Sequence, residues 1–594
     1  MPSANGTNDT NGHSKTALYG DEEFVDHSYD YIIIGGGTAG LCVTARLTED
    51  PNVTVGVLKA GNIGWRTRNV LTPSLFPSLP AGNKVYLIPR GKLLGGSSGI
   101  NYLMYVRGSK EDCNGWEALG NKGWGWEDPQ LMPHNAAEKH HRTNGLIHTS
   151  FTDYRMPMEE DFIKASYEVS KTKNTLVDAW SGDHLGIYSS FGAIDRTGNV
   201  GTRSYAATGY PKPNLSRPNL KVLTQALVSK IVLDTSGQGE PRVMSHTTIE
   251  AEFIVSGQVH SATANREIIL SAGVIQTPQI LELSGIGDSQ ILSVVSIDAI
   301  VHNPSVGANF QDHEKLIVDQ LSDPKFANLQ TFLIPANMDM TAGGDQTKFL
   351  GPPPKGKQRV TPLICLEHPL SRGTVHITSS DPSKAPRIDS GYLRNPTDSK
   401  ILSAGLKWLD QVNRHPILAK SLGERVQLAP NVSLESEEER IEVIKEHIST
   451  QYHLIRTASI GEVVDDRLRV QGVKGLRVVD ASVFPNHVSG NIMSTTYAVT
   501  EKGADLIKED ARHRCGGKLE VLPEGVYFVP FAEGQPRTVR AAAVVVGVLT
   551  VDVEDCVEVV VVEEVDPDEV EDNVDCAETD DEDEVETGSG APEL

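Results

Sequence analysis

Short hydrophobic runs alternate with helical patterns through the first half of the chain. The apolar runs that predict β-strands are Tyr31–Ile34, Thr54–Leu58, Leu220–Thr224 and Glu267–Leu270. Apolar residues recur at helical spacing in Ala39–Leu47 and Pro278–Leu283. Because strands and helices alternate in this way, the pattern favours an α/β domain with a parallel sheet.

A different pattern covers about residues 314–365. Glycine and proline interrupt it at Gly343-Gly344 and Gly351–Pro354, and the apolar segment Gly373–Thr378 beyond it favours an antiparallel strand. We therefore expect a second lobe here. A chain of 594 residues is also too long for a single hydrophobic core.

Both ends of the chain lack the pattern of a folded core. Residues 1–25 are polar and aperiodic, and we expect a disordered segment there. Near the other end, residues 551–594 contain 20 acidic residues and no lysine or arginine, so most of the net charge of −25 belongs to this tail. We predict that the tail, residues 511–594, is mostly disordered. A chain without a basic surface is not expected to bind nucleic acid.

Cysteine usage and hydropathy indicate a reducing, aqueous environment. The six cysteines form no C-x-x-C pair, and no apolar run approaches the ~18 residues of a membrane span. The N-terminus also lacks the pattern of a secretory signal. We predict a soluble, cytoplasmic protein without membrane association. The histidines His134, His140, His141 and His148 lack the partner residues of a metal motif, so no metal site is expected.

A glycine-rich turn follows the first predicted strand. Gly35, Gly37 and Gly40 form G-x-G-x-x-G at the start of a helical pattern. Gly35 permits the tight turn, Gly37 lets the backbone approach a diphosphate, and Gly40 allows close packing of helix and strand. Together with the intervening Thr38 and Ala39, they predict a dinucleotide site at the N-terminus of the helix.

The second predicted strand ends in a residue that does not suit the usual ribose contact. An acidic side chain is expected about 20 positions after the last glycine, but the residue there is Lys59. A lysine only donates hydrogen bonds, so it cannot accept them from the ribose hydroxyls. Two interpretations stay open at this point, a site for NADP or a weakened flavin site.

Two longer motifs resemble the signatures of the glucose–methanol–choline (GMC) oxidoreductases. The first is Arg90–Asn101, with the sequence RGKLLGGSSGIN, and the second is Gly273–Gly287. Shorter matches are Val306-Gly307, Gln311–His313, Ser371–Gly373 and Val478–Ser482. The resemblance extends from about Tyr29 to Ile507.

The resemblance implies FAD as the cofactor. It places Gly95, Ser97, Asn101 and Asp480 in the flavin site, and the backbone at Val228 beside the adenine edge, although Val228 fits a buried strand equally well. It implies a Rossmann-like FAD-binding domain and an α+β substrate-binding domain on an antiparallel sheet. The predicted FAD-binding segments are 26–150, 201–313 and 451–510, and the predicted substrate-binding segments are 151–200 and 314–450.

The resemblance also names a catalytic pair. His453 matches the base and Asn491 the second active-site position, in an enzyme that oxidises a small alcohol and passes hydride to flavin N5. The electron acceptor would be O2 or another oxidant, and specialised metabolism would suit such an enzyme. Arg456 stands where the family has glycine, and we expect its side chain to intrude near the flavin; the alternative is that this cation stabilises the reduced flavin anion. Alternatives are a catalytically impaired GMC-like binding protein and a non-redox lyase or cyclising dehydratase.

Overall fold

The computed structural model describes part of the chain. Its described residues are 24–25, 27–62, 71–72, 75–78, 84–126, 144–151, 156–171, 179–198, 200–234, 249–312, 327–339, 350–352, 355, 358–423, 425–426, 428 and 432–515. One compact unit comprises residues 1–508, and a second begins at residue 509, of which only 509–515 are described. The predicted lead-in up to residue 23, the cluster at His134, His140 and His141, and the acidic tail beyond residue 515 lie outside these ranges.

A seven-stranded sheet forms the centre of the first unit. Its strands are β1 (Tyr29–Ile34), β2 (Val55–Lys59), β3 (Leu220–Thr224), β4 (Leu227–Val232), β5 (Ile249–Val255), β6 (Gln258–Leu270) and β7 (Leu476–Val478). The order is β3-β2-β1-β6-β5-β4, and β7 also pairs with β6. The pairs among β3, β2, β1, β6 and β7 are parallel, whereas β4–β5 and β5–β6 are antiparallel. The predicted α/β fold with a Rossmann-like parallel sheet is thus confirmed.

Strand β1 forms the buried centre of the parallel part. Ile32 and Ile33 are completely buried, as continuous apolar runs are in a sheet covered on both faces. Phe24 is also completely buried, and its carbonyl accepts a hydrogen bond of 2.8 Å from the Tyr29 hydroxyl. The expectation of a disordered segment over residues 1–25 is therefore wrong at Phe24, which belongs to the core.

Seven longer helices accompany the strands within the described ranges. They are α1 (Thr38–Leu47), α2 (Lys110–Ala118), α3 (Glu159–Ser170), α4 (Gly273–Leu283), α5 (Pro396–Arg414), α6 (Glu437–His447) and α7 (Met493–Cys515). Shorter helices are Ala206–Gly209, Pro211–Asn214, Ser289–Val294 and Pro416–Ala419. Every helix in the described part is too short or too polar to cross a bilayer.

The region after residue 326 has a different architecture. Leu329–Ile334 and Thr361–Leu366 form an antiparallel pair, which we call the cavity hairpin, and α5 packs against it. A Cβ added to Gly405 of α5 would lie 2.8 Å from a methyl group of Leu329, so this glycine permits the close packing. The predicted antiparallel strand near Gly373–Thr378 is present as Thr374–His376, paired with Arg387–Asp389. The region thus has the α+β character expected from the sequence.

The remaining described strands are short. The antiparallel pairs are Leu71–Thr72 with Arg90–Gly91, Leu75–Ser78 with Lys84–Leu87, Met104–Tyr105 with Phe191–Gly192, Ile194–Asp195 with Thr202–Arg203, Gln311–Asp312 with Leu454–Ile455, and Asn337–Met338 with Leu350–Gly351. Ile286–Gly287 and Val301–His302 pair in parallel. The pairing of Gln311–Asp312 with Leu454–Ile455 matters for function, because it brings Asp312 beside the segment that contains His453.

Candidate active site

The glycine turn after β1 has the geometry that its sequence predicts. Gly35 has φ +114°, and a Cβ there would lie 2.3 Å from the carbonyl oxygen of Ser271. A Cβ on Gly40 would lie 1.8 Å from the carbonyl oxygen of Gly35, so α1 can approach the strand only without a side chain. A Cβ on Gly37 would meet nothing nearer than 4.0 Å, which leaves room for a ligand at the start of α1.

A second glycine turn packs directly against the first. Gly95 and Gly96 have φ values of +92° and +55°, and the amide of Gly95 donates to the carbonyl of Gly36 at 3.0 Å. Thr38 accepts a hydrogen bond from the amide of Ser98 at 3.3 Å. The two signatures, about 60 residues apart in the chain, therefore form one cradle of backbone amides and small side chains, which suits a diphosphate-bearing cofactor.

A cavity of about 2090 Å³ extends over this cradle and along the cavity hairpin. The structure brings most of the predicted site residues to its wall. Those that line it are Gly35, Gly37, Thr38, Ala39, Lys59, Ser97, Asn101, Val228, Asp480, His453 and Asn491. Gly40 and Gly95 do not line it, because they lie behind the wall and allow the two turns to pack.

Three of these residues are held by well-defined contacts. The Asn101 side chain accepts from Arg203 at 2.5 Å and donates to the sulfur of Met493 at 3.0 Å. Asp480 accepts hydrogen bonds from Gly273 N at 2.8 Å and Thr277 Oγ1 at 2.7 Å, which anchor the start of α4. Val228 is buried in β4 and also lines the cavity, so it fits both interpretations made from the sequence.

Lys59 lies at the end of β2, on the cavity wall beside Lys92. Burial, together with the positive charge of Lys92, lowers the pKa of Lys59 to about 8. Among the described residues no carboxylate forms an ion pair with Lys59. Two cations thus border the cavity at the place where the sequence predicts the adenosine ribose.

The predicted catalytic residues are in direct contact. The Asn491 Nδ2 atom lies 3.1 Å from His453 Nε2, although the two residues are 38 positions apart. If the amide donates, the Nε2 lone pair is the acceptor and the ring proton is on Nδ1. Asn491 Oδ1 has no hydrogen-bond partner in the described part of the protein. Both residues line the cavity.

Asp312 and Arg90 support His453 from behind, and the sequence alone did not assign them this role. Asp312 accepts a hydrogen bond of 3.0 Å from the His453 backbone amide, and bonds of 2.5 Å from the hydroxyls of Tyr392 and Thr450. Arg90 donates to the carbonyl of Tyr452 at 2.7 Å. The quoted match at Gln311–His313 is the sequence signal that could have found Asp312, whereas only the structure pairs this residue with Leu454.

Burial, with a smaller effect of the Arg90 charge, lowers the pKa of His453 to about 3. The imidazole is therefore neutral over the ordinary working range of pH. A neutral imidazole can accept a proton, whereas an imidazolium cannot.

One expectation from the sequence is wrong in the structure. Arg456 does not line the cavity, because its guanidinium turns toward Glu462 at 2.6 Å and the Pro485 carbonyl at 2.6 Å. The expected intrusion of this cation near the flavin is thus absent. His487, which lies four positions before Asn491, is completely buried and does not line the cavity.

No metal-binding cluster is present in the described ranges, which leaves the three histidines outside them untested. His148, the fourth histidine of that group, contacts Asp195 at 3.1 Å.

Comparison with known proteins identifies the family. The model of the GMC oxidoreductase N-terminal region matches residues 29–315, and that of the C-terminal region matches residues 369–500. The chain belongs to the GMC oxidoreductase family. The first match contains the cradle, and the second contains the His453–Asn491 pair described above.

Relatives and solved structures agree with this assignment. The chain is 33% identical to the dehydrogenase mpl7 of Monascus purpureus, over 82% of this chain and 97% of that protein. It is 28% identical to mitochondrial choline dehydrogenase of Mus musculus, over 81% of this chain and 89% of the relative.

An FAD-dependent oxidoreductase from Chaetomium thermophilum superposes with a TM-score of 0.68 at 26% identity, covering 82% of this chain and all of that one. The pyridoxine 4-oxidase of Mesorbium loti has the same fold, with a TM-score of 0.67 at 24% identity, over 81% and 99% of the two chains.

Membership in the GMC oxidoreductases confirms the enzyme class and the cofactor. The protein is an FAD-dependent oxidoreductase that acts on CH–OH groups. The residues present fit the flavin, because the space beside Gly37 is open, the cradle presents backbone amides, and the cavity reaches from there to His453. Lys59 is the departure from this fit, since it replaces the usual ribose acceptor.

Proposed function

We propose that this protein oxidises an alcohol of a small organic molecule to the carbonyl, with His453 as the proton acceptor. The contact of 3.1 Å between His453 Nε2 and Asn491 Nδ2 carries the proposal, because two polar groups so close can address a single substrate oxygen. The flavin, when bound, accepts the hydride of the carbinol carbon. The protein then has to orient the alcohol and take its hydroxyl proton.

His453 Nε2 is the atom that receives this proton. The hydroxyl becomes strongly acidic as the carbinol carbon loses hydride, so an imidazole of low basicity suffices. Asn491 Nδ2 donates a hydrogen bond to the same oxygen and keeps it beside Nε2. Asp312 and Arg90 hold the N–H and the C=O of the peptide group that joins Tyr452 to His453, so that the position of the imidazole does not depend on the substrate.

The cofactor contacts are part of the same proposal. We assign the diphosphate to the cradle of Gly35, Gly37, Thr38 and Ala39, and the flavin side to Ser97, Asn101 and Asp480. The predicted division into FAD-binding and substrate-binding segments stays part of this proposal. A role in specialised metabolism stays a prediction.

Single-turnover reduction of the bound flavin tests the catalytic pair, because it separates hydride transfer from reoxidation. The purified holoenzyme would be mixed anaerobically with benzyl alcohol and a series of primary aliphatic alcohols. General-base contributions are typically about 10²–10⁴-fold. We expect His453→Ala to slow flavin reduction by that order, and Asn491→Ala to slow it less, with flavin still bound.

His447→Ala is the matched control, since His447 lines the same cavity but bonds to the carbonyl of Val443 at 2.9 Å. It should leave the reduction rate within about twofold of the parent, well below the effect of losing a base. A His453→Ala protein that reduces its flavin as fast as the parent would contradict the proposed role.

A further inference from the structure

A buried polar cluster lies behind the loop that carries Asn491. Its members, which we call the loop anchor, are Asp112 in α2, Glu367 and His368 after the cavity hairpin, and Ser489 in the loop itself. Their exposed fractions are 2%, 1%, 0% and 1%. None of the four lines the cavity, so none can contact the substrate there.

Asp112 binds the loop through Ser489. One carboxylate oxygen accepts from the Ser489 amide at 2.7 Å and from the Ser109 amide at 2.6 Å. The other oxygen accepts from the Ser489 hydroxyl at 3.2 Å. His368 Nε2 lies 3.0 Å from the same hydroxyl and 3.3 Å from Asp112. A single imidazole nitrogen faces both groups, which differs from a nucleophilic triad, in which serine and acid face opposite ring nitrogens.

Glu367 binds the next residue of the loop. Its Oε2 atom accepts a hydrogen bond from the amide of Gly490, which directly precedes Asn491. Gly490 has φ +95°, and a Cβ there would lie 2.8 Å from a methyl group of Val106. The loop thus has a conformation that only glycine adopts easily, and a buried acceptor holds its amide.

Burial raises the pKa of Glu367 to about 8, and the negative charge of Asp112 adds to this effect. The carboxyl group is therefore mostly protonated at neutral pH, and a neutral carbonyl oxygen can serve as the acceptor for Gly490. A glutamine at this position would offer the same acceptor.

The position of Asn491 depends on this loop. Its side chain makes one hydrogen bond among the described residues, the contact of 3.1 Å with His453. A backbone shift of a few tenths of an ångström would stretch that contact beyond hydrogen-bond distance. Misplacement of a catalytic group by about 1 Å can cost about 10²-fold in rate.

We propose that Glu367 is a positioning residue, which holds Gly490 so that the Asn491 amide meets His453 and the substrate oxygen. This inference rests on the proposed function of the His453–Asn491 pair. Glu367 acts through the loop and takes no part in proton or hydride transfer. Because Glu367 also follows directly on the cavity hairpin, it joins the substrate-facing strands to the loop of Asn491.

The test compares Glu367→Ala with Glu367→Gln in single-turnover flavin reduction by an alcohol that reduces the parent. Glu367→Ala should slow the limiting rate about 10- to 100-fold while the substrate concentration at half-maximal rate changes little. Glu367→Gln should stay within about threefold of the parent, because it keeps the acceptor. If Glu367→Ala does not fold with flavin bound, Glu367→Leu replaces it, since leucine fills the buried volume without the acceptor.

A double-mutant cycle with Asn491→Ala separates this inference from the proposed function. If Glu367 acts through Asn491, the double variant Glu367→Ala/Asn491→Ala should reduce its flavin less than about threefold more slowly than Asn491→Ala alone. Three results would each overturn the inference. The double variant could lose rate by the product of the two single-variant factors, Glu367→Ala could reduce its flavin as fast as the parent, or Glu367→Gln could be as slow as Glu367→Ala. Parent-like rates in both His453→Ala and Asn491→Ala would instead overturn the proposed function.

Discussion

Replacement of Lys59 by glutamate should tighten the binding of FAD. Lys59 lies at the end of β2 on the cavity wall, and the charge of Lys92 contributes to lowering its pKa to about 8. A carboxylate at this position would accept hydrogen bonds from the ribose hydroxyls and would attract Lys92 where Lys59 repels it. The substitution therefore changes two interactions in the same direction.

The expected gain follows from these two interactions. A hydrogen bond to a charged group contributes about 1.5–3 kcal/mol. The ion pair with Lys92 contributes less, at most about 1 kcal/mol, because Lys92 is exposed to solvent. The hydrogen bonds alone correspond to about a ten- to hundredfold lower dissociation constant for FAD.

The assay is titration of the apoprotein with FAD, followed by the fluorescence of free flavin. Lys59→Met separates removal of the positive charge from gain of the carboxylate, and Lys384→Met is the control for a lysine elsewhere on the cavity wall. We expect the affinity order Lys59→Glu, then Lys59→Met, then parent, with Lys384→Met close to the parent. A Lys59→Glu protein that binds FAD no more tightly than Lys59→Met would refute the ribose argument.

The pH dependence of apoprotein stability provides an independent check. The pKa of Lys59 falls from its usual 10.5 to about 8 in the folded protein. The unfolded chain therefore binds this proton more strongly, and the free energy of unfolding rises as pH increases from about 8 to 10.5. The destabilisation is fully present below pH 8. We expect the stability advantage of Lys59→Met over the parent at pH 7 to shrink by pH 9.5, measured by urea unfolding.

Three further predictions concern the fold. Gly40→Ala should abolish FAD binding or soluble expression, because its Cβ would lie 1.8 Å from the Gly35 carbonyl oxygen, and flavin absorbance of the purified protein measures this. Arg477→Met should destabilise the protein by about 3–5 kcal/mol in urea unfolding. The buried Glu267 bonds to Arg477 at 2.5 Å, and the substitution would leave its charge unpaired. The second substitution Glu267→Leu should restore most of the lost stability. Truncation after Cys515 should leave flavin content and thermal stability unchanged, as we predict that the acidic tail is dispensable; loss of flavin in the truncated protein would contradict this.

The anchor of the active-site loop shows what pattern reasoning misses. Glu367 and Gly490 are 123 positions apart, and Asp312 lies 141 positions before His453, from whose amide it accepts a hydrogen bond. Asp312 belongs to the quoted family match at Gln311–His313, but nothing in the local sequence of Glu367 distinguishes it from a solvated carboxylate. Arg456 shows the reverse error, because a departure from the family pattern suggested contact with the flavin, whereas its side chain turns toward Glu462.

The family resemblance supplied the proposed catalytic pair, whereas the sequence by itself determined the α/β class and the glycine-rich turn after β1. These depend on residues close together in the chain, where a hydrophobic run, a glycine at a required backbone angle and a strand-to-helix turn leave few alternatives. Only the tertiary structure placed Lys92 beside Lys59, Asp312 behind His453 and Glu367 under the loop of Asn491. Such contacts depend on strand register, helix packing and side-chain direction, which arise when distant segments bury one another and which local sequence does not specify.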